Sequence, residues 1–268
     1  MDRILEIKGK KICYTDIGNG PVIVFIHGWM DSKKVYENII SILSKKYRCI
    51  NIDLPGFGNS DVIKDVDIPT MSALIHRLIK KLRVEKINLI GHSLGAGVSI
   101  VYAKRHQNYI NKMVLISPFV SYKQFSKITF YAIRYIIPNF ITTKITSVLY
   151  KIFDIVNYIF YQKSINMEYV KKVEAEEVKD KAINAFNIAY QLSNIDLYKS
   201  LRKIRRDILI IYGMRDSLLS IKPLVPFFGV VNNIRLAIFE DVRHFLYTYN
   251  NRDLAEKIDL FFSSDNVQ

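Results

Sequence analysis

The chain has 268 residues, half of them hydrophobic, with 39 Lys and Arg against 25 Asp and Glu and a formal net charge of +14. That size can bury a substantial core and suits one domain with an insertion better than two independent domains. The basic residues are scattered and accompany no recognition motif, which argues against nucleic-acid binding. Cys13 and Cys49 have neither CxxC nor His/Cys spacing, which argues against a disulfide or a metal site and for reduced packing residues.

In chain order, Met1–Glu6 alternates charged and apolar residues, without the basic start or apolar core of a signal peptide, so a cytoplasmic location is expected. Ile4–Lys8 and Lys11–Asp16 are predicted as an opening hairpin. Val22–His27, Tyr47–Asp53, Lys86–Gly91, Asn111–Ser117, Asp207–Gly213 and Ile234–Phe239 are near-continuous apolar runs. Such runs fit strands of a mostly parallel sheet covered on both faces. Helical spacing places helices at Tyr36–Lys45, Met71–Leu82, Gly95–His106 and Arg252–Phe262. The alternation predicts an α/β fold whose functional loops sit at the C-terminal ends of the strands.

Between Pro118 and about Lys203 the alternation stops, over a stretch too long for a loop. Ile145, Val148, Leu149, Ile152, Ile155, Val156 and Ile159 mark one helical face. Tyr169–Asp180 reads as a charged amphipathic segment and Ala182–Leu192 as another helix. The expected division is a core of 1–118 and 204–268 with a helical cap, 119–203, inserted in it. Its content is aromatic and aliphatic. A membrane span needs around 20 predominantly apolar residues, and Arg134, Pro138, Lys144, Lys151 and Asp154 interrupt every candidate run. From Lys123 to Lys163 basic and aromatic residues mix with a single acid, Asp154. A basic amphipathic segment of this kind can lie on an anionic bilayer. A lysine-rich composition with the cap's apolar face packed inward accounts for the same residues, and both readings stay open here.

The most informative stretch is Gly91-His92-Ser93-Leu94-Gly95, between an apolar strand and a helix. Gly-x-Ser-x-Gly in that setting is a nucleophile elbow, a turn so tight that side chains two residues either side of the serine would clash. The turn lifts the serine Oγ out of the sheet and puts the Leu94 N–H at a helix N-terminus, where negative charge is favoured. A serine hydroxyl is a weak nucleophile and needs a neutral imidazole, itself oriented by a carboxylate. Of five histidines, His92 is the variable position of the elbow itself, His27 sits beside the Gly28-Trp29 turn, and His76 and His106 fall on predicted helices as surface or packing residues. His244 alone lies in a turn after a late strand. Asp216 follows the strand Asp207–Gly213, whereas Glu240 and Asp241 are too close to His244 in sequence to reach its Nδ1 from behind. Met113–Ile116 ends in Ser117-Pro118 and offers no carboxylate.

Four segments together resemble the α/β-hydrolase superfamily, of the capped esterase, thioesterase and carbon–carbon hydrolase kind. They are Phe25-Ile26-His27-Gly28-Trp29, Asp53-Leu54-Pro55-Gly56-Phe57-Gly58-Asn59-Ser60, the elbow, and the Asp216 and His244 turns. The resemblance implies Ser93 as nucleophile, His244 as general base then acid, and Asp216 as the orienting carboxylate. It also implies an oxyanion hole from the backbone N–H groups of Trp29 and Leu94, with Asp53 bracing the Pro55–Gly58 loop. A small-molecule ester or thioester is the implied substrate, and no cofactor or metal is implied. Related dehalogenases and epoxide hydrolases carry aspartate at the elbow. A ring-cleavage carbon–carbon hydrolase would use the same triad but needs a clamp for the substrate carboxylate, for which Arg134 and Arg243 are the candidates. A non-catalytic lipid- or ligand-binding member is the remaining alternative. Oligomeric state is not legible.

Overall fold

The computed structural model describes residues 2–7, 9–136, 176–246 and 251–264. An eight-stranded sheet runs in the order β1-β2-β4-β3-β5-β6-β7-β8. The strands are β1 (Arg3–Ile7), β2 (Lys10–Ile17), β3 (Val22–Ile26), β4 (Arg48–Ile52), β5 (Ile87–His92), β6 (Ile110–Ile116), β7 (Asp207–Gly213) and β8 (Ile234–Phe239). β1 pairs with β2, and β2 with β4, antiparallel; every later pairing is parallel. The expected α/β architecture is therefore present.

Strand periodicity divides the core between the two faces of the sheet. Val24, Ile26, Ile50, Ile52 and Leu89 point to one side, against α2 (Ile68–Lys81) and α3 (Leu94–His106). Ile23, Phe25, Cys49, Ile90 and Val114 point to the other, against α1 (Glu37–Leu43) and the C-terminal helix Asn251–Ser263. Burial pushes the Cys49 thiol up to about 12, and both cysteines are buried and free. α2 starts three residues before the predicted Met71, because the Asp67 carboxylate accepts from the Thr70 N–H at 2.7 Å and Pro69 lies in the first turn. The order reverses between β3 and β5, so the loops after these two strands flank a crevice at the C-terminal edge of the sheet.

The chain leaves the sheet after β6 and returns to it at β7. Just beyond β6, Ser121 bridges Asp196 antiparallel, with Tyr122 N donating to Ile195 O at 3.0 Å and Leu197 N to Val120 O at 2.8 Å. The two ends of the insertion are thus tied together. Between them lie α4 (Lys127–Tyr131), a π-helical turn Ala132–Ile136, α5 (Glu176–Leu192) and α6 (Tyr198–Leu201). The expected break near Lys181 is absent: α5 runs unbroken through it, since no Gly or Pro interrupts 176–192. The predicted face Ile145–Ile159 and most of Tyr169–Asp180 lie outside the described residues. Of the basic aromatic stretch, Lys123 pairs with Asp196 at 3.2 Å and the Arg134 guanidinium lies over the Tyr190 ring. No helix among the described residues is long and apolar enough to cross a membrane.

Candidate active site

β5 is buried at every residue and ends at the elbow. Ser93 lies at φ 51°, ψ −114°, a left-handed backbone that a serine rarely adopts. Surrounding contacts hold it there. Ser93 N donates to Ile116 O at 3.0 Å, and Ser93 O accepts from Ala96, Gly97 and Phe119 N–H groups at 3.1–3.3 Å. A methyl group on Gly95 would lie 2.2 Å from Ile26 O, and one on Gly91 would lie 2.5 Å from Gly95 O. Both glycines are therefore required by close backbone approach. Leu94 opens α3, so its N–H is one of the unsatisfied donors of the helix start. The Trp29 turn after β3 lies alongside, for a methyl on Gly28 would sit 3.4 Å from Ser93 Cβ.

Two loops from the far half of the sheet supply the other groups. His244 Nδ1 lies 2.7 Å from Asp216 Oδ2, and the side chains are 6% and 0% exposed. The second carboxylate oxygen accepts from the Leu218 and Leu219 N–H groups at 2.9 and 3.0 Å. A carboxylate accepts on both oxygens here, so the Asp216 partner on the imidazole is Nδ1–H, which leaves the Nε2 lone pair available. The loops are laced together by Met214 N donating to Phe239 O at 2.9 Å and Arg215 N to Val242 O at 3.0 Å. Glu240 and Asp241 are both exposed, and Asp241 pairs with Arg215 at 2.7 Å.

Two further histidines join these halves. His92 Nε2–H donates to the His244 carbonyl at 3.0 Å, linking the elbow to the histidine loop. Burial, and next the nearby His244, push His92 well below its ordinary value, so it is neutral. His27 Nε2 accepts from Leu54 N at 2.9 Å and therefore donates from Nδ1 to Gly28 O at 2.8 Å. Burial lowers its pKa as well. Beneath it, Asp53 is fully buried and accepts from Lys33 N at 2.7 Å, Lys33 Nζ at 2.6 Å and Asn59 N at 2.9 Å. Burial alone would lower the Lys33 pKa; the Asp53 carboxylate, joined by Asp2 at 3.2 Å, more than offsets it and holds the amine above its ordinary value.

The structure brings Ser93, Leu94 and Trp29 to one loop cluster and joins Asp216 to His244 beside it. His76 and His106 lie apart on α2 and α3, where their rings stack 3.8 Å apart. Lys33 and the His92 linkage were not read from the sequence. Lys33 stands in a polar Asp-Ser-Lys-Lys run that looks like surface, and His92 reaches a partner 152 residues away. Among the described residues no cluster of three or more His, Cys, Asp or Glu could hold a metal ion.

Comparison with known proteins agrees with this fold. The family model of the alpha/beta hydrolase fold matches residues 21–146. The AB hydrolase superfamily protein YisY of Bacillus subtilis is 36% identical over 105 residues, 38% of this chain and 39% of that protein. The pimeloyl-[acyl-carrier protein] methyl ester esterase of Aeromonas hydrophila is 30% identical over 102 residues, 37% of this chain and 39% of that enzyme. The matched stretches thus span about two fifths of these relatives. An esterase of Exiguobacterium antarcticum superposes with a TM-score of 0.78 at 23% identity, covering 98% of this chain and all of that one. The chain has the α/β-hydrolase fold.

Proposed function

We propose that the protein is a serine hydrolase that cleaves a carboxylic ester or thioester with an apolar acyl or alkyl group. The observation that carries this reading is the buried His244–Asp216 contact of 2.7 Å, in a loop bonded through His92 to the Ser93 elbow. Ser93 Oγ attacks the carbonyl carbon while His244 Nε2 takes its proton. The imidazolium that forms is stabilised by Asp216, which keeps its own charge. The Trp29 and Leu94 backbone N–H groups receive the tetrahedral oxyanion, an interaction worth about 10²–10³ in turnover for one donor. His244 then protonates the leaving alcohol or thiol as the acyl-enzyme forms. Water repeats the sequence, losing its proton to His244, and releases the acid with Ser93 restored.

In this reading residues 1–118 and 204–268 are the catalytic core and 119–203 the cap that shapes the acyl site. The ester preference draws on the esterases among the similar proteins. A carbon–carbon hydrolase would need a cation facing the site, but Arg243 is exposed and Arg134 lies over Tyr190. The test is hydrolysis of p-nitrophenyl esters from acetate to long chains by wild type and Ser93→Ala. Serine-dependent turnover is expected, with its chain-length optimum measuring the acyl site. A folded wild type that hydrolyses none of them and is not labelled at Ser93 by a fluorophosphonate would overturn the reading.

A further inference from the structure

The loop after β3 has no regular structure to hold it, and Met30 within it adopts φ 55°. A non-glycine residue in that region is strained and persists only where its surroundings determine it. On one side Gly28 is pressed against the elbow, where a methyl group would lie 2.8 Å from His92 Nδ1. On the other side the Trp29 indole N–H donates to the Ala185 carbonyl at 2.7 Å, and its ring meets Phe186 edge-on with centroids 6.4 Å apart. Ala185 lies within α5.

α5 is itself fastened to the core. Ala182, Ala185, Ile188, Ala189 and Leu192 bury one face, and the small alanines let the helix come close. Asn184 Nδ2 donates to Pro55 O at 3.3 Å, Lys181 Nζ to Gly58 O at 3.1 Å and Gln191 Nε2 to Val66 O at 3.1 Å. Asn184 sits so tightly that a methyl on Gly56 would lie 2.1 Å from its Nδ2. The returning helix is thus a fixed wall bonded to the Leu54–Ser60 loop and to the segment before α2, and Trp29 carries that attachment to the loop after β3.

We propose that the Trp29 side chain is a positioning group that fastens the oxyanion-side loop to α5, so that the cap helix sets the placement of the Trp29 backbone N–H. The proposal rests on the oxyanion role given to that N–H above. A side chain that only filled space would need no donor. Here a neutral donor in a poorly exposed setting reaches a main-chain carbonyl, and losing it leaves the loop with one anchor fewer.

The test compares wild type, Trp29→Phe, which keeps an aromatic ring without the donor, and Asn184→Ala, which loosens α5 without touching Trp29. Readouts are the rate of fluorophosphonate labelling, whose phosphoryl oxygen occupies the oxyanion position, and kcat and KM on a p-nitrophenyl ester. Trp29→Phe is expected to label about tenfold more slowly or worse and to lose kcat in step with KM nearly unchanged, at unaltered circular dichroism. Asn184→Ala should shift both rates in the same direction by less. Trp29 is the chain's single tryptophan, so its emission in Asn184→Ala should move to the red as the indole loosens. Trp29→Phe reacting at the wild-type rate overturns the proposal. So does Asn184→Ala with unchanged rates and emission, which would uncouple the loop from α5. Either result leaves the hydrolase reading intact if Ser93→Ala abolishes labelling; failure of wild type to label at Ser93 overturns both.

Discussion

The two halves of the site are held by different physics. On the elbow side, steric crowding fixes geometry: Gly91 and Gly95 admit no side chain, and Ser93 is forced into a left-handed backbone between three segments. On the Asp216–His244 side, hydrogen bonds fix geometry: Asp216 is gripped by two backbone donors and His244, and its loop is laced to the histidine loop. A crowded turn fails when atoms are added. A hydrogen-bonded pair fails when a partner is removed, with the backbone left in place.

That contrast can be broken directly. Asp216→Asn should cut turnover by about 10⁴-fold through the wrong imidazole tautomer at nearly unchanged stability; near-normal kinetics would remove Asp216 from its role. Asp53→Asn removes the buried partner of the Lys33 amine and leaves it only the half-exposed Asp2, so urea denaturation should show about 3 kcal/mol of lost stability. Gly95→Ala should lower stability by about 3 kcal/mol by overpacking and stop fluorophosphonate labelling; a stable, reactive Gly95→Ala would refute the crowding account.

The most gradual effect is a pH dependence. Burial depresses the folded pKa of His27 and His92 below the ordinary 6.5. Between the folded and unfolded values the unfolded chain binds more protons, so their contribution is complete above about pH 6.5 and declines as the pH falls below it. Each histidine adds up to about 1.4 kcal/mol per pH unit to that slope. Denaturation midpoints measured from pH 7.5 to 5 should fall below pH 6.5, and His92→Gln should flatten the fall while weakening the tie to the His244 loop. An identical slope in that variant would assign the acid sensitivity elsewhere.

Much of this molecule was legible because its signals are local. Continuous apolar runs marked every strand from β3 to β8, since strands covered on both faces need apolar residues at successive positions. The elbow was equally legible, because a pentapeptide carries both its turn and its crowding. Boundaries were less so: α2 begins early because of the Asp67 cap, and α5 continues through Lys181 because nothing in its sequence stops it. The buried Lys33–Asp53 pair was hidden, because a lysine in a polar run looks the same whether its amine meets solvent or a carboxylate.

By itself the sequence determined the class of fold and the position of the strand-turn-helix elbow, both consequences of residue type and spacing along the chain. Only the tertiary structure decided that Asp216, the carboxylate expected from the sequence, meets His244 at 2.7 Å, that His92 ties the elbow to the histidine loop, and that Trp29 reaches Ala185 in α5. Those contacts span 28, 152 and 156 residues of chain. They exist because the sheet gathers the C-terminal ends of its strands at one edge, and periodicity within a segment carries no record of which distant segment will lie beside it.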